Sequence, residues 1–170
     1  MEGTIYTYNQ GPVLGALLEL GGEANLARAA DVIGAVARHL TVPAPVPGAA
    51  PDAASPAAPA RVLRCDGTGD GGLFTGILCR YLALAALDDR LPASARSTAA
   101  ELVLATAEAF WAGRRPEHAT PGQGNVIFSI HATQPAGATY PPGAAVELST
   151  QLQAWMVLEA AATLPPQGAG

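Results

Sequence analysis

Two short stretches carry the residue types best suited to chemistry: Tyr6-Thr-Tyr-Asn-Gln-Gly11 and, further along, Asp70-Gly-Gly-Leu-Phe-Thr-Gly-Ile77. Each lies where a loop passes into an apolar periodic segment, so each places polar and aromatic groups at a helix entrance. Tyr8, Asn9 and Gln10 set an aromatic ring beside two amides that donate and accept at once. Asp70 and Phe74 add a carboxylate and a second ring. Sugar hydroxyls demand paired donors and acceptors, and sugar ring faces stack on aromatics, so this set suits a polyhydroxylated ligand. A plainer role stands beside it: Asn9 can cap the helix that follows, and Asp70 can do the same for the next.

The elements that position these groups are helices. Apolar residues recur at helical spacing in five stretches, paired by short turns in the manner of helical hairpins. The first runs from Gly11 to Leu20. The Gly21-Gly22 break separates it from a second that starts at Glu23 or Asn25 and repeats Leu26, Ala29, Ile33, Val36 and Leu40. Leu73–Leu87 and a helix from about Ser94 to Ala112 form a second hairpin, with Leu102, Val103, Ala107, Phe110 and Trp111 inward. A last helix, Glu147 to Thr163, carries Leu148, Leu152, Trp155, Met156 and Leu158, and is expected to lack a partner within the chain. Residues 42–60 are rich in Pro and Ala without periodicity and are expected to form a flexible insertion with neither helix nor ladder. Pro116 to Gly143 reads as a long loop region broken only by a short strand at Val126–Ile130.

The two entrance motifs together resemble those of glycoside hydrolase family 76, the endo-α-1,6-mannanases. Those enzymes carry a similar Tyr-Asn-Gln-Gly turn and, downstream, an Asp-Gly-Gly-Leu-Phe-Lys-Gly-Ile turn. The resemblance extends from Tyr6 to about Ala162. It implies an all-α fold of helical hairpins forming part of an (α/α)6 barrel, incomplete here, in residues 1–170 as a single domain. It implies mannan hydrolysis as the family activity, with α-mannan or a related polysaccharide as partner. Tyr8, Asn9, Gln10, Asp70, Phe74 and Gln151 are the substrate-binding residues it suggests; Gln151 lies in a stretch similar to the last inward-facing family helix. No cofactor is implied. Where the family commonly has lysine after the Phe, this chain has Thr75, which removes a cation from the expected cleft.

The family's paired catalytic aspartates precede the first motif, so no catalytic residue is assigned in this chain. A retaining glycosidase needs two carboxyl groups about 5 to 5.5 Å apart. Asp88-Asp89 is not that pair: it follows the end of a helix and precedes Arg90-Leu-Pro, the composition of a solvated turn. The expectation is therefore a substrate-lining portion without activity of its own; the alternative is a noncatalytic helical-hairpin module that binds glycan or protein. A ring cut open exposes the apolar faces of its helices, so self-association is expected.

Other classes find little support. The net charge is −5, and the basic residues are nine scattered arginines, which leaves no stripe for nucleic acid. No apolar run reaches the eighteen or more residues of a membrane span, and Met1-Glu-Gly-Thr does not open like a signal peptide, so as written the chain reads as cytoplasmic or incomplete. Cys65 and Cys79 lack metal spacing and are expected as free thiols, with a disulfide as the other option; Asp66 and Asp70 lack the calcium-loop pattern. His39, His118 and His131 are dispersed, Ser129 and Ser149 have no nucleophile elbow, and Trp111 and Trp155 are expected in the core.

Overall fold

The computed structural model describes residues 5–44, 60–120 and 123–165. Its main elements are helices: α1 (Thr7–Leu20), α2 (Glu23–His39), α3 (Phe74–Leu87), α4 (Ala93–Gly113), the short α5 (Ala136–Thr139) and α6 (Leu148–Ala162). A 3-10 turn, Gly69–Leu73, leads directly into α3. Gly21 and Gly22, at φ 59° and 76°, reverse the chain between α1 and α2, a conformation that costs a side-chain-bearing residue free energy.

α3 sits between α1 and α6, while α2 and α4 form a second layer behind them. Close approaches fix the directions. Gly11 meets Ile77 and Tyr81, and the Leu18 carbonyl accepts from Arg90; Gly72 meets Ser149 and Thr150, and Gly76 meets Gln153 and Met156. Residue number rises together on each facing pair, so α1, α3 and α6 run parallel with their entrances at one end. Leu14, Ile33, Val36, Leu78, Leu82, Val103 and Phe110 fill the space between the layers.

Two antiparallel ladders complete the chain. β1 (Thr41–Pro43) pairs with β2 (Arg61–Leu63) in the register Thr41↔Leu63, Val42↔Val62, Pro43↔Arg61, and Ala44 N–H donates to Ala60 at 2.7 Å. The ladder corrects the expectation that 42–60 pairs with nothing: Pro43 lies at its final position, where a missing N–H is tolerated. Residues 45–59 of that insertion lie outside the described residues. Buried Thr106 on α4 accepts the Leu63 N–H at 3.0 Å and anchors this ladder to the helical layer. β3 (Arg115–Thr120) pairs with β4 (Gln123–Ile127), so the expected strand begins earlier and has a partner that the sequence reading assigned to loop. Pro116 obscured it, because proline weakens a strand pattern while an edge position accommodates it.

α6 departs most from expectation. It has partners, α3 and α4, and the face it buries is the small and polar one: Thr150, Gln153, Ala154, Val157 and Ala160. Leu148, Leu152 and Trp155 remain 72%, 41% and 58% exposed. The cause lies on α3. A methyl group at Gly76 would stand 3.0 Å from Met156 Cβ and 3.1 Å from the Gln153 carbonyl, so the helices approach too closely for large side chains between them. Trp111 is also outside the core, 50% exposed, with the Arg114 guanidinium 3.8 Å from its ring centroid. The apolar segment Gly69–Leu87 is long enough to cross a membrane by length and composition, and its place between α1 and α6 accounts for that apolarity.

The α1 entrance is held by a residue outside α1. The Asp66 carboxylate accepts the Thr7 N–H at 3.0 Å and the Thr7 hydroxyl, so it caps the helix from the loop that precedes α3. Asp66, with a side chain only 6% exposed, pairs with Arg64 at 2.9 Å, and Arg64 in turn donates to the Ile5 carbonyl. The capping expected of Asn9 is therefore not observed; Asn9 lies inside the first turn. Nor does Asp70 cap α3, because the 3-10 turn continues the helix backward past it, and the Gly69 N–H is held instead by Glu147 at 2.9 Å.

Asp66→Ala is expected to lower stability by about 2–3 kcal/mol, from a lost cap and an unpaired Arg64, whereas exposed Asp70→Ala changes it by less than about 0.5 kcal/mol; urea melts of both distinguish the two roles. At Gly71 an added methyl would lie 2.6 Å from the Asp66 carbonyl, while Gly137 has open space. Gly71→Ala should therefore cost about 1–3 kcal/mol in the same measurement, with Gly137→Ala near neutral.

Candidate functional site

At the shared entrance end, the two sequence motifs meet. The Tyr8 and Phe74 rings lie 4.3 Å apart between centroids, tilted by 44°, and Tyr6 meets Phe74 edge-on at 5.7 Å. The Asp66 clamp makes this contact possible by fixing where α1 begins. Tyr6 is the residue before the first turn, so Tyr8 emerges on the side facing α3. The glycines of the second motif seat the other wall: Gly71 lies against the Asp66 backbone, and Gly72 lies against Ser149 at the start of α6. Phe74 is thereby carried to the first position of α3.

Of the expected site residues, Tyr8, Gln10 and Phe74 are half-buried, and Asn9 and Asp70 are exposed. Among the described residues no hydrogen bond engages the Asn9, Gln10 or Asp70 side chains. Asn9 and Gln10 follow Tyr8 on α1 and Asp70 lies in the turn leading to Phe74, and among the described residues their side-chain donors and acceptors are free. This arrangement can present stacking faces and hydrogen-bonding groups to a neutral polar ligand.

Gln151 behaves differently from expectation. Its Oε1 accepts the Phe128 N–H at 2.8 Å and its Nε2 donates to the Phe128 carbonyl at 2.9 Å, as a neighbouring strand would. A second Nε2 hydrogen reaches Thr150 at 3.3 Å. The amide is consumed in joining the end of β4 to α6, so it is a brace and not a free ligand group. Thr75 also corrects the sequence reading. It is fully buried and donates to the Arg64 carbonyl at 2.7 Å, so its position faces the clamp loop rather than an open cleft. The cation next to this loop, Arg64, is paired with Asp66.

Three carboxylates mark this end, and sequence reasoning singled out only one as functional. Asp66 and Glu147 are both occupied with backbone N–H groups, each from the loop ahead of the next inner helix. Their role was hidden because the partners lie 59 and 78 residues away. Among the described residues Asp70 is the one of these three with no hydrogen bond to its side chain.

Asp88-Asp89 sits in the turn from α3 to α4, where Asp88 is bonded by Arg90 at 2.6 Å. The guanidinium holds the Asp88 carboxyl below its ordinary range, which marks an ion pair and not a proton donor. Among the described residues no group of three or more His, Cys, Asp or Glu is placed to hold a metal ion. Both cysteines are free thiols; burial pushes the Cys65 thiol up to about 11 and raises the fully buried Cys79 further, leaving neither primed as a nucleophile. His131 is half-buried beside Ser129, whose hydroxyl accepts the His131 N–H at 3.2 Å, and the His118 side chain lies outside the described residues.

A comparison with protein-family models finds no match, and neither does one with curated proteins. Solved structures do match. The GH76A α-1,6-mannanase from Salegentibacter sp. HEL1_6 superposes with a TM-score of 0.64 at 29% identity, covering 95% of this chain and 41% of its own. An inactive variant of that enzyme, in complex with α-1,6-mannotetraose, gives the same score and coverage at 31% identity. A second inactive variant, in complex with α-1,6-mannotriose, matches equally at 29%. The chain spans about two fifths of the length of these structures. With the two entrance motifs brought together on parallel helices, the chain is a structural relative of the glycoside hydrolase family 76 α-1,6-mannanases over nearly its whole length.

Proposed function

We propose that this chain forms the substrate-lining part of a cleft for α-1,6-linked mannan, of the kind used by α-1,6-mannanases. The observation that carries this reading is the Tyr8–Phe74 contact at 4.3 Å, which joins the two motifs that also carry Asn9, Gln10 and Asp70, side chains without a hydrogen bond among the described residues. Aromatic faces take the apolar side of a mannose ring, while the amides and the carboxylate take its hydroxyls. The complexes of the Salegentibacter enzyme with α-1,6-mannooligosaccharides support mannan over other neutral glycans.

Bond cleavage is a separate matter. Glycoside hydrolysis of the retaining type uses a nucleophile and an acid/base carboxyl about 5 to 5.5 Å apart. Among the described residues, Asp66 and Glu147 at the entrance already serve as backbone acceptors, and Asp70 remains. In this reading the chain binds and orients mannan, and the carboxyl pair that breaks the bond belongs to another part of a complete cleft. Exposed Val13 and Leu20 on α1, with Leu84 and Leu87 on α3, offer apolar contact for such a part or for a second copy.

Calorimetry with α-1,6-mannotetraose should detect binding at sub-millimolar to millimolar strength, about 4–6 kcal/mol, and Tyr8→Ala should weaken it roughly tenfold. No heat of binding would overturn the mannan reading. Incubation with α-1,6-mannan should release no reducing sugar, and release by this chain alone would overturn the noncatalytic assignment. On a sizing column with light scattering the chain should elute above its 17.1 kDa mass; a sharply melting monomer would contradict self-association.

A further inference from the structure

A groove of about 440 Å³ lies between α6 and the β3–β4 hairpin, with Trp155, Leu152, Val126, Asn125 and Glu117 along its walls. We propose that this groove is a second saccharide subsite, in which a neutral hexose stacks on Trp155 while Asn125 and Glu117 receive its hydroxyls. The inference rests on the mannan reading and extends it to a part of the surface separate from the Tyr8–Phe74 cluster.

Three observations carry it. The Trp155 ring is 58% exposed on a helix whose opposite face is packed, so its indole is presented outward at a fixed position. The Gln151 amide bonds Phe128 at both ends, 2.8 and 2.9 Å, which locks the hairpin base against α6 and preforms the groove. Among the described residues lining the groove the one charged side chain is Glu117, which lies 3.9 Å from Arg115 and offers hydroxyl donors an acceptor. Asn125 is exposed and supplies both a donor and an acceptor.

The helix α6 borders both the groove and the entrance: Gln151, Leu152 and Trp155 line the one, and Ser149 lies against Gly72 at the other. α6 begins beside Glu147, which holds Gly69 next to Asp70. Trp155 lies eight residues further on, about 12 Å along the helix axis. In this proposal an oligosaccharide of several residues is long enough to reach from one position to the other, whereas a disaccharide occupies one.

The test compares α-1,6-mannobiose with α-1,6-mannotetraose by calorimetry on the wild-type chain, Tyr8→Ala, Trp155→Ala and Asn125→Ala, with thermal melts as a folding control. Trp155→Ala is expected to weaken tetraose at least tenfold and Asn125→Ala at least threefold, with biose affinity within twofold of wild type. Tyr8→Ala should weaken both ligands. In a Trp111→Phe background, Trp155 emission should shift on adding tetraose. If tetraose affinity and Trp155 emission stay unchanged while Tyr8→Ala abolishes binding, the groove assignment is wrong and the entrance reading stands. If Trp155→Ala alters only the oligomeric state, the surface is a protein contact and the assignment fails. Absence of binding by either sugar to wild type removes both readings together.

Discussion

A single buried carboxylate organises the entrance end. Asp66 occupies the free N–H of α1 from a loop that belongs to α3, and its second oxygen is held by Arg64, which itself reaches back to Ile5. The pair thus fastens together the two stretches that carry Tyr8 and Phe74. A cap made across 59 residues is worth more to geometry than a local one, because it fixes the start of one helix relative to the start of another. Glu147 repeats the device one helix later. The inner layer is therefore tied at its rim by a relay of carboxylates, each reaching from one helix's approach to the first N–H groups of its neighbour.

Close packing of the inner helices supplies the complementary constraint. Gly72 and Gly76 bring α3 against α6, and Gly11 and Gly15 receive the Tyr81 ring. Where backbones approach this closely, the face of α6 that fits is the one with Ala154, Thr150 and Ala160, and the bulky residues turn outward. The glycines of the Asp70–Ile77 motif are thus explained by packing. Its Phe and Asp are explained by the surface they form, so one short motif encodes both the contact between helices and the groups at their ends.

Much of this frame was legible in the sequence. Helix spacing gave the hairpins because Ile33, Val36, Leu78 and Leu82 repeat with the period of a buried face, and Gly21-Gly22 marks the reversal plainly. The convergence of Tyr8 with Phe74 followed from a two-motif resemblance and not from local pattern. What the sequence hid was long-range: Asp66 and Glu147 look like ordinary loop acids, since a carboxylate reveals a cap only when the distant N–H is known. Gln151 had amphipathic surroundings compatible with a cleft, and only the hairpin's position shows its amide consumed by Phe128. The orientation of α6 was misread because large apolar side chains normally define the buried face, a rule that fails beside a glycine-lined neighbour.

The β1–β2 ladder has a consequence for how the chain tolerates change. Ala44 and Ala60 are hydrogen-bonded to each other at 2.7 Å, and Leu63 is pinned to Thr106, so the path from α2 to α3 is closed at its base before the intervening residues begin. Adding residues beyond a closed base costs only a slowly growing closure entropy and transmits no strain to the helices. This point on the fold is mechanically insulated: evolution can lengthen, shorten or decorate it, and an experimenter can graft a reporter there, while the rim residues keep their positions.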